Sequence, residues 1–411
     1  MPHAMPRTEF IALMAMLAAT VALSIDAMLP ALPQIGQELT PDNINKAQLI
    51  LTTFVLGMGL GTFFTGPLSD TFGRKPVMLW GAVLYTVSAF IASRAESLEV
   101  LLIARIFQGI GAAGPRVVAM AVVRDLYMGR GMAQIVSFIM IIFTLVPAIA
   151  PLLGSFVIDA YSWRAVFYGF MIFSVISALW VGLRLPETLP RDRRRPFRAA
   201  ALRSAVAEMF THPVVRLSIA VQGLCFAMLF SMLSSVQQIY DITFGRADTF
   251  ALWFGFIAIV AGSSGFLNAS LVMRLGMMFL VRAMLMAQVC LSAFMVLAGY
   301  AASAGHISDT LFFAFFVIWQ ISVFFQAGMT LGNLAAIAQE PMGHIAGMAA
   351  SVIGSVATVV GVTLAIPVGL MFDGTPVPLA SAIFLEAALA LMLMRLMMQA
   401  EMQLTPPAAM N

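Results

Sequence analysis

The sequence predicts an all-α integral membrane protein with twelve transmembrane helices in two six-helix halves. Three observations carry that reading. Apolar stretches nearly free of charge recur along the whole chain, which is 61% hydrophobic and 10% charged; soluble domains are about 25% charged. Each stretch approaches or exceeds about 20 residues, the length a helix rising about 1.5 Å per residue needs to cross a core about 30 Å thick. Lysine and arginine then fall mostly on one side of the alternating connections.

The spans fall at residues 8–29, 47–69, 76–93, 98–123, 133–158, 163–185, 214–240, 247–271, 276–302, 309–338, 344–372 and 376–400. Span 1 begins like a secretory signal, with Arg7 ahead of an apolar run from Phe10. The run is long, however, contains Asp26 and lacks a clear small-residue cleavage site, so it is read as a retained helix. Span 2 closes on GPLSDTFGRK (66–75), a polar turn into span 3. Span 4 carries Arg105 and Arg116, and span 5 contains PAIAPLLG (147–154), with Pro147, Pro151 and Gly154. Span 6 opens on WRAVF (163–167). The connection 186–213 is longer and polar and holds the dense basic run RDRRRPFR (191–198). It is read as a cytoplasmic linker between an N-terminal half, 1–185, and a C-terminal half, 214–411. Span 7 brings Gln222, Met228 and Met232; span 10 brings Gln320 and Gln326; span 12 brings Glu386. Spans 8 and 9 meet at NASLVMRLGM (268–277), and span 11 opens within GHIAGMAAS (343–351).

With the N-terminus inside, 16 of the 22 lysines and arginines lie on the cytoplasmic side. Four lie outside (Lys46, Arg94, Arg164 and Arg246), and two, Arg105 and Arg116, lie within a span. An odd number of spans would break this alternation. A repeat is also visible: setting Gly276 on Gly73 gives an offset of 203 residues, with Met273 where Asp70 stands. A 6+6 duplication with one decayed copy explains it.

The net charge of +3 is scattered over loops and offers no nucleic-acid surface. Cys225 and Cys290 sit in apolar runs without a CxxC partner or nearby histidine, so no metal and no cofactor is expected. No phosphate-binding glycine loop and no catalytic constellation occurs, so neither ATP-driven transport nor enzymatic activity is expected.

Positive-inside bias explains Arg74 and Lys75 in GPLSDTFGRK but not Asp70. The stretch resembles the signature G-x-L-[AS]-D-[RK]-x-G-[RK]-[RK] of the major facilitator superfamily. It matches at Gly66, Leu68, Ser69, Asp70, Gly73, Arg74 and Lys75 and departs at Thr71. LLIARIFQGIGAA (101–113), around Arg105, is similar to the span-4 motif of proton-driven members. PAIAPLLG resembles the span-5 motif of the Bcr/CflA branch of multidrug:proton antiporters. IDAMLPALP (25–33), VVRDLY (122–127), WRAVF, PETLP (186–190) and GHIAGMAAS fit the same branch. The resemblance implies the major facilitator fold, whose halves rock about a central site, and export in exchange for protons. It also implies a cytoplasmic gate of Gly66, Asp70, Gly73, Arg74, Lys75 and Asp125. There Asp70 would meet the N-terminus of span 11 near Gly343 and His344, and Arg74 would pair with Asp125.

An ionisable group inside a span costs roughly 2.5–3.5 kcal/mol on insertion scales, so each needs a reason. Asp26 lies 16 residues beyond Phe10, about 24 Å along a helix. Arg105 lies seven residues after Leu98 on a span running the other way, at a comparable depth. Arg105 and Arg116 are eleven residues apart, on one face and about 16 Å apart. Two arginines on one stripe fit a water-filled path better than lipid. In the resembled family spans 1 and 4 line the central cavity. Asp26 is therefore expected to gain and lose a proton, with Arg105 tuning it and Arg116 serving the same path. The alternative is a permanent ion pair holding spans 1 and 4 together. Gln222, Met228, Met232, Gln320 and Gln326 are the candidate cavity wall. Glu386, in a span that the resemblance places at the periphery, is read as pairing within its own half or facing a local polar defect.

The expected function is proton-coupled secondary active efflux of small amphipathic drugs across a bacterial inner membrane by alternating access. The protein is expected to act as a monomer with both termini cytoplasmic. Its partners would be protons, a small molecule and the lipid bilayer, with no nucleic acid. The alternatives are an exporter or symporter of a specific small metabolite on the same fold and, from another class, a membrane enzyme or receptor. PAIAPLLG speaks against uptake. The missing catalytic constellation and soluble domain speak against the last two.

Overall fold

In a bilayer the backbone must satisfy its own N–H and C=O groups, so long apolar runs become helices. The computed structural model describes residues 5–404 except Arg195, and among the described residues there is no strand. The α-helices are α1 (Arg7–Asp26), α2 (Leu32–Leu39), α3 (Leu49–Phe72), α4 (Arg74–Ser93), α5 (Leu98–Leu126), α6 (Gly129–Ala160), α7 (Trp163–Arg184), α8 (Ala199–Thr211), α9 (Pro213–Gln238), α10 (Phe250–Leu275), α11 (Met277–Ser303), α12 (Asp309–Gln339), α13 (Ala346–Leu370) and α14 (Val377–Leu404). Among the described residues, 11 helical stretches are long and apolar enough to cross a membrane. One of them, Asp309–Leu370, has 62 residues, which at about 1.5 Å per residue is enough for two crossings. It breaks at Glu340–Ile345, where Met342 leaves helical geometry and Pro341 has no N–H to continue the ladder. Counted separately, α12 and α13 bring the spans to twelve.

Two segments differ from the sequence reading. Span 1 stops at Asp26, turns through a 3-10 segment at Leu29–Ala31 and resumes as α2, so the stretch runs to Leu39. Pro30 sits in that break and Pro33 in the first turn of α2, so a continuous α-ladder would lack two donors. The polar connection 186–213 is not all loop: its alanine-rich part forms α8. Arg195 of its basic run lies outside the described residues.

The chain divides into two compact units. One holds α1–α7 with residues 248–256; the other holds α8, α9, the rest of α10 and α11–α14. In the first, α5 packs against α3 and α4, α4 against α7, and α1 against α6. In the second, α9 packs against α12, α13 and α14, and α11 against α14. Counting spans within each half, first meets fifth and third meets sixth in both, as duplicated six-helix units would. The equivalent turns also share a backbone state: Gly73 has φ 104° and Gly276 φ 80°, a region closed to most side chains.

Small residues set the packing of α5. Gly109 faces the Phe54 carbonyl of α3, and Gly111, about 200° around the helix, faces Tyr85 of α4. A Cβ at either position would collide with that backbone, and such contacts let membrane helices pack backbone to backbone. Outward faces carry large apolar groups, with Trp80 73% and Phe156 72% exposed, as a lipid environment favours.

Candidate functional site

Asp26 is the last residue of α1 and is 5% exposed. Its carboxyl therefore stands where the helix carbonyls concentrate partial negative charge. Ala27 N–H returns to Leu23 O at 3.1 Å and Met28 N–H to Ile25 O at 3.3 Å, so the chain tightens just past it. Gly154 of α6 lies against the Ala27 carbonyl, so closely that a Cβ would overlap it. Thus the glycine of PAIAPLLG brings α6 onto the neighbour of Asp26. Pro147 and Pro151, one turn apart in α6, remove two backbone donors from the same stretch. Among the described residues no hydrogen bond or ion pair holds the Asp26 carboxyl.

Arg105 is 0% exposed and lies 4.3 Å from the centroid of the Phe54 ring. Its Nε donates to Ile50 O at 3.1 Å, its Nη2 to Ser24 O at 3.0 Å, and its Nη1 to Gln108 Oε1 at 2.8 Å. Ser24 Oγ shares a 2.6 Å hydrogen bond with Tyr85 OH. Arg105 therefore ties α5 to α1 and α3 through backbone carbonyls. It reaches the helix that carries Asp26 two residues before Asp26, and it does not reach the carboxyl. The permanent ion pair weighed as an alternative is absent among the described residues. Three turns on, Arg116 is partly exposed. Its one polar contact among the described residues runs from Nη1 to Met58 Sδ at 3.4 Å, and a thioether is a weak acceptor.

At the turn between α3 and α4, Arg74 is a hub. Its Nε donates to Asp125 Oδ2 at 3.0 Å, and its Nη1 donates to Ser69 Oγ at 2.7 Å and to Asp70 Oδ1. Ser69 Oγ donates in turn to Gly66 O at 2.9 Å, and Lys75 Nζ to Gly182 O at 2.7 Å. Asp70, Arg74 and Asp125 thus form one cluster within the first unit. In the second unit, His344 lies 2.9 Å from Glu208 of α8.

Sequence reasoning missed Glu187, which sits in PETLP without an assigned role. Its carboxylate accepts from Arg74 N–H at 2.9 Å and Lys75 N–H at 3.2 Å. These are first-turn amides of α4, which a helix leaves unsatisfied. Glu187 thus caps α4 from 113 residues away. Thr188 Oγ1 donates to Asp125 Oδ2 at 3.0 Å, and Arg194 Nη2 stands 3.9 Å from Glu187 Oε2. A Cβ at Gly73 would press on both Glu187 and Arg194, so this glycine serves the clasp as well as the turn. An acid between two prolines directly after span 6 was the available signal. A second missed cluster joins α2 to α7: Glu38 accepts from Trp163 Nε1 and pairs with Arg164, each at 2.7 Å.

The glutamines lie in the second unit. Gln222 Nε2 donates to Leu331 O at 3.2 Å, and Gln326 Nε2 to Cys225 Sγ at 3.2 Å and Thr330 Oγ1 at 2.8 Å. Gln320 Oε1 accepts from Tyr240 OH at 3.1 Å. Each leaves one buried amide atom without a partner among the described residues: Gln222 Oε1, Gln326 Oε1 and Gln320 Nε2. Met228 and Met232 are fully buried and offer no surface in this arrangement, unlike the pliable wall the sequence predicts. Glu386 is buried in α14 with Oε2 unpartnered among the described residues.

A model of the Major Facilitator Superfamily matches residues 14–399. The chain is 30% identical over 349 residues to the multidrug resistance protein MdtL of Salmonella paratyphi A, covering 83% of this chain and 82% of that protein. It is 27% identical over 373 residues to a bicyclomycin resistance protein homolog of Haemophilus influenzae, covering 90% and 91%. Among solved structures, a D-xylose-proton symporter matches with a TM-score of 0.77 at 13% identity, over 94% of this chain and 97% of that one. At that identity the likeness is one of fold.

Proposed function

The chain belongs to the Major Facilitator Superfamily, and on that premise we propose that it exports small amphipathic compounds in exchange for protons. It is a multi-pass membrane protein of a transporter family. In this reading it works by alternating access in a bacterial inner membrane, with both termini cytoplasmic and the halves 1–185 and 214–411 as its working parts. The names of its relatives, a multidrug resistance protein and a bicyclomycin resistance homolog, support drug-like cargo.

One observation carries the reading: the Asp26 carboxyl, 5% exposed and held by no partner among the described residues, stands at the break in span 1. A carboxyl in a span is neutral when dry and ionised when water or a cation reaches it. Asp26 takes up a proton from outside and yields it inside, and cargo leaves in exchange. Arg105 fixes α1 two residues before that carboxyl, and Arg116 meets cargo in the first half; the half-satisfied amides of Gln222, Gln320 and Gln326 are buried in the second half. The antiporter stretch Pro147, Pro151 and Gly154 sets the contact of α6 with α1. Gly66, Asp70, Gly73, Arg74, Lys75 and Asp125 form the inward gate.

The test is uptake into inverted vesicles containing the protein, with an imposed pH gradient and a panel of drugs. At least one compound should accumulate, and a protonophore should abolish accumulation. Uptake indifferent to collapse of the gradient would contradict proton coupling.

A further inference from the structure

We infer that Arg116 anchors an anionic group of the transported compound, so that the preferred cargo is an amphipathic acid or zwitterion; this rests on the export reading above. On α3, Ile50, Phe54 and Met58 follow one another at four-residue spacing and so share a face. The two arginines of α5 meet that face in sequence. Arg105 exhausts it at Ile50 and Phe54, adding Ser24 and Gln108. Arg116 finds only the Met58 sulfur among the described residues.

A guanidinium carries five N–H donors and keeps its charge at any accessible pH. No ion pair among the described residues includes Arg116; those of the first unit join Arg74 to Asp70 and Asp125, Arg164 to Glu38, Arg184 to Glu9, and Arg194 to Glu187. Arg116 is partly exposed, and none of its nitrogens is both sealed and unpartnered. A permanent positive charge with accessible donors, inside a span and beside a soft apolar side chain, matches a molecule with an acidic group on an apolar body. A cationic compound would meet repulsion there. An anionic lipid headgroup would offer the same chemistry, so the test must separate the two sources.

The full chain is purified into phosphatidylcholine nanodiscs. Two probes of one scaffold are titrated: 1-anilinonaphthalene-8-sulfonate, which is anionic, and N-phenyl-1-naphthylamine, which is neutral. Energy transfer from the protein's tryptophans reports binding, with protein-free discs subtracted. The sulfonate should bind about tenfold or more tightly than the neutral probe. Arg116→Gln should erase that preference and leave the neutral probe unchanged, and Arg116→Lys should keep part of it. Melting temperatures confirm that each variant is folded. A sulfonate that binds no better than its neutral partner, or a preference that survives Arg116→Gln, overturns the inference. So does a preference abolished by adding phosphatidylglycerol, which would assign Arg116 to lipid. Flux of the same probes in proteoliposomes separates the two readings. Arg116-dependent sulfonate binding without gradient-driven flux defeats the export reading and leaves the anion site. Gradient-driven flux without sulfonate preference does the reverse.

Discussion

Arg105 and Arg116 share one stripe of α5, yet one is enclosed by acceptors and the other is not. Arg105 is 0% exposed and meets two backbone carbonyls, an amide oxygen and an aromatic ring. No carboxylate is needed to hold it: oriented dipoles and a ring face stabilise the charge. Arg116 has a thioether and an accessible flank. The difference separates a charge that builds the helix bundle from a charge available to something outside it.

The largest effect should come from Arg105→Ala. It leaves Ser24 O, Ile50 O and Gln108 Oε1 without their donor, a loss of about 3–5 kcal/mol that thermal unfolding in detergent would register. If Arg116→Ala costs as much, the contrast is broken. Gly154→Leu comes next, because its side chain would occupy the space of the Ala27 carbonyl. Overpacking of about 1–3 kcal/mol and loss of flux are expected, and wild-type melting would place α6 farther from α1. Glu187→Ala removes the remote cap of α4, worth about 1 kcal/mol. Hydrogen exchange at the Arg74 and Lys75 amides should quicken, while Glu187→Gln should retain much of the protection. Arg116→Gln should change stability least, within about 0.5 kcal/mol, since it has no protein carboxylate to lose. A larger loss would reveal a partner and weaken the anion assignment.

The twelve spans were legible because lipid imposes a length and a polarity that any reader of the chain can count. What escaped was decided by contacts rather than composition. The break after Asp26 was marked by Pro30 and Pro33, but hydropathy continues across it and masks the turn. Helix α8 is masked in the sequence because the arginines that precede it mark a polar connection, while its alanines favour helix. Within the site, motif spacing drew attention to Asp70, Arg74 and Asp125, which do lie in one cluster. Glu187 could not be found that way, because a carboxylate capping a helix 113 residues distant leaves no periodicity. Depth along the helices set Arg105 level with Asp26, but side-chain direction follows from which acceptors lie nearest. Those are the carbonyls of Ser24 and Ile50. Met228 and Met232, candidates for a binding wall or for core filling by their flexible side chains, are buried by packing in this arrangement.

The coupling role proposed for Asp26 meets its most direct test in proteoliposomes holding Asp26→Asn. Two fluxes of one exported compound are compared, exchange with no gradient and net movement driven by a pH gradient. Asn keeps the shape of the carboxyl and cannot carry the proton, so exchange should persist while gradient-driven accumulation falls to the level of empty vesicles. Accumulation by Asp26→Asn equal to that of the unaltered protein, still abolished by a protonophore, would place the proton on another group.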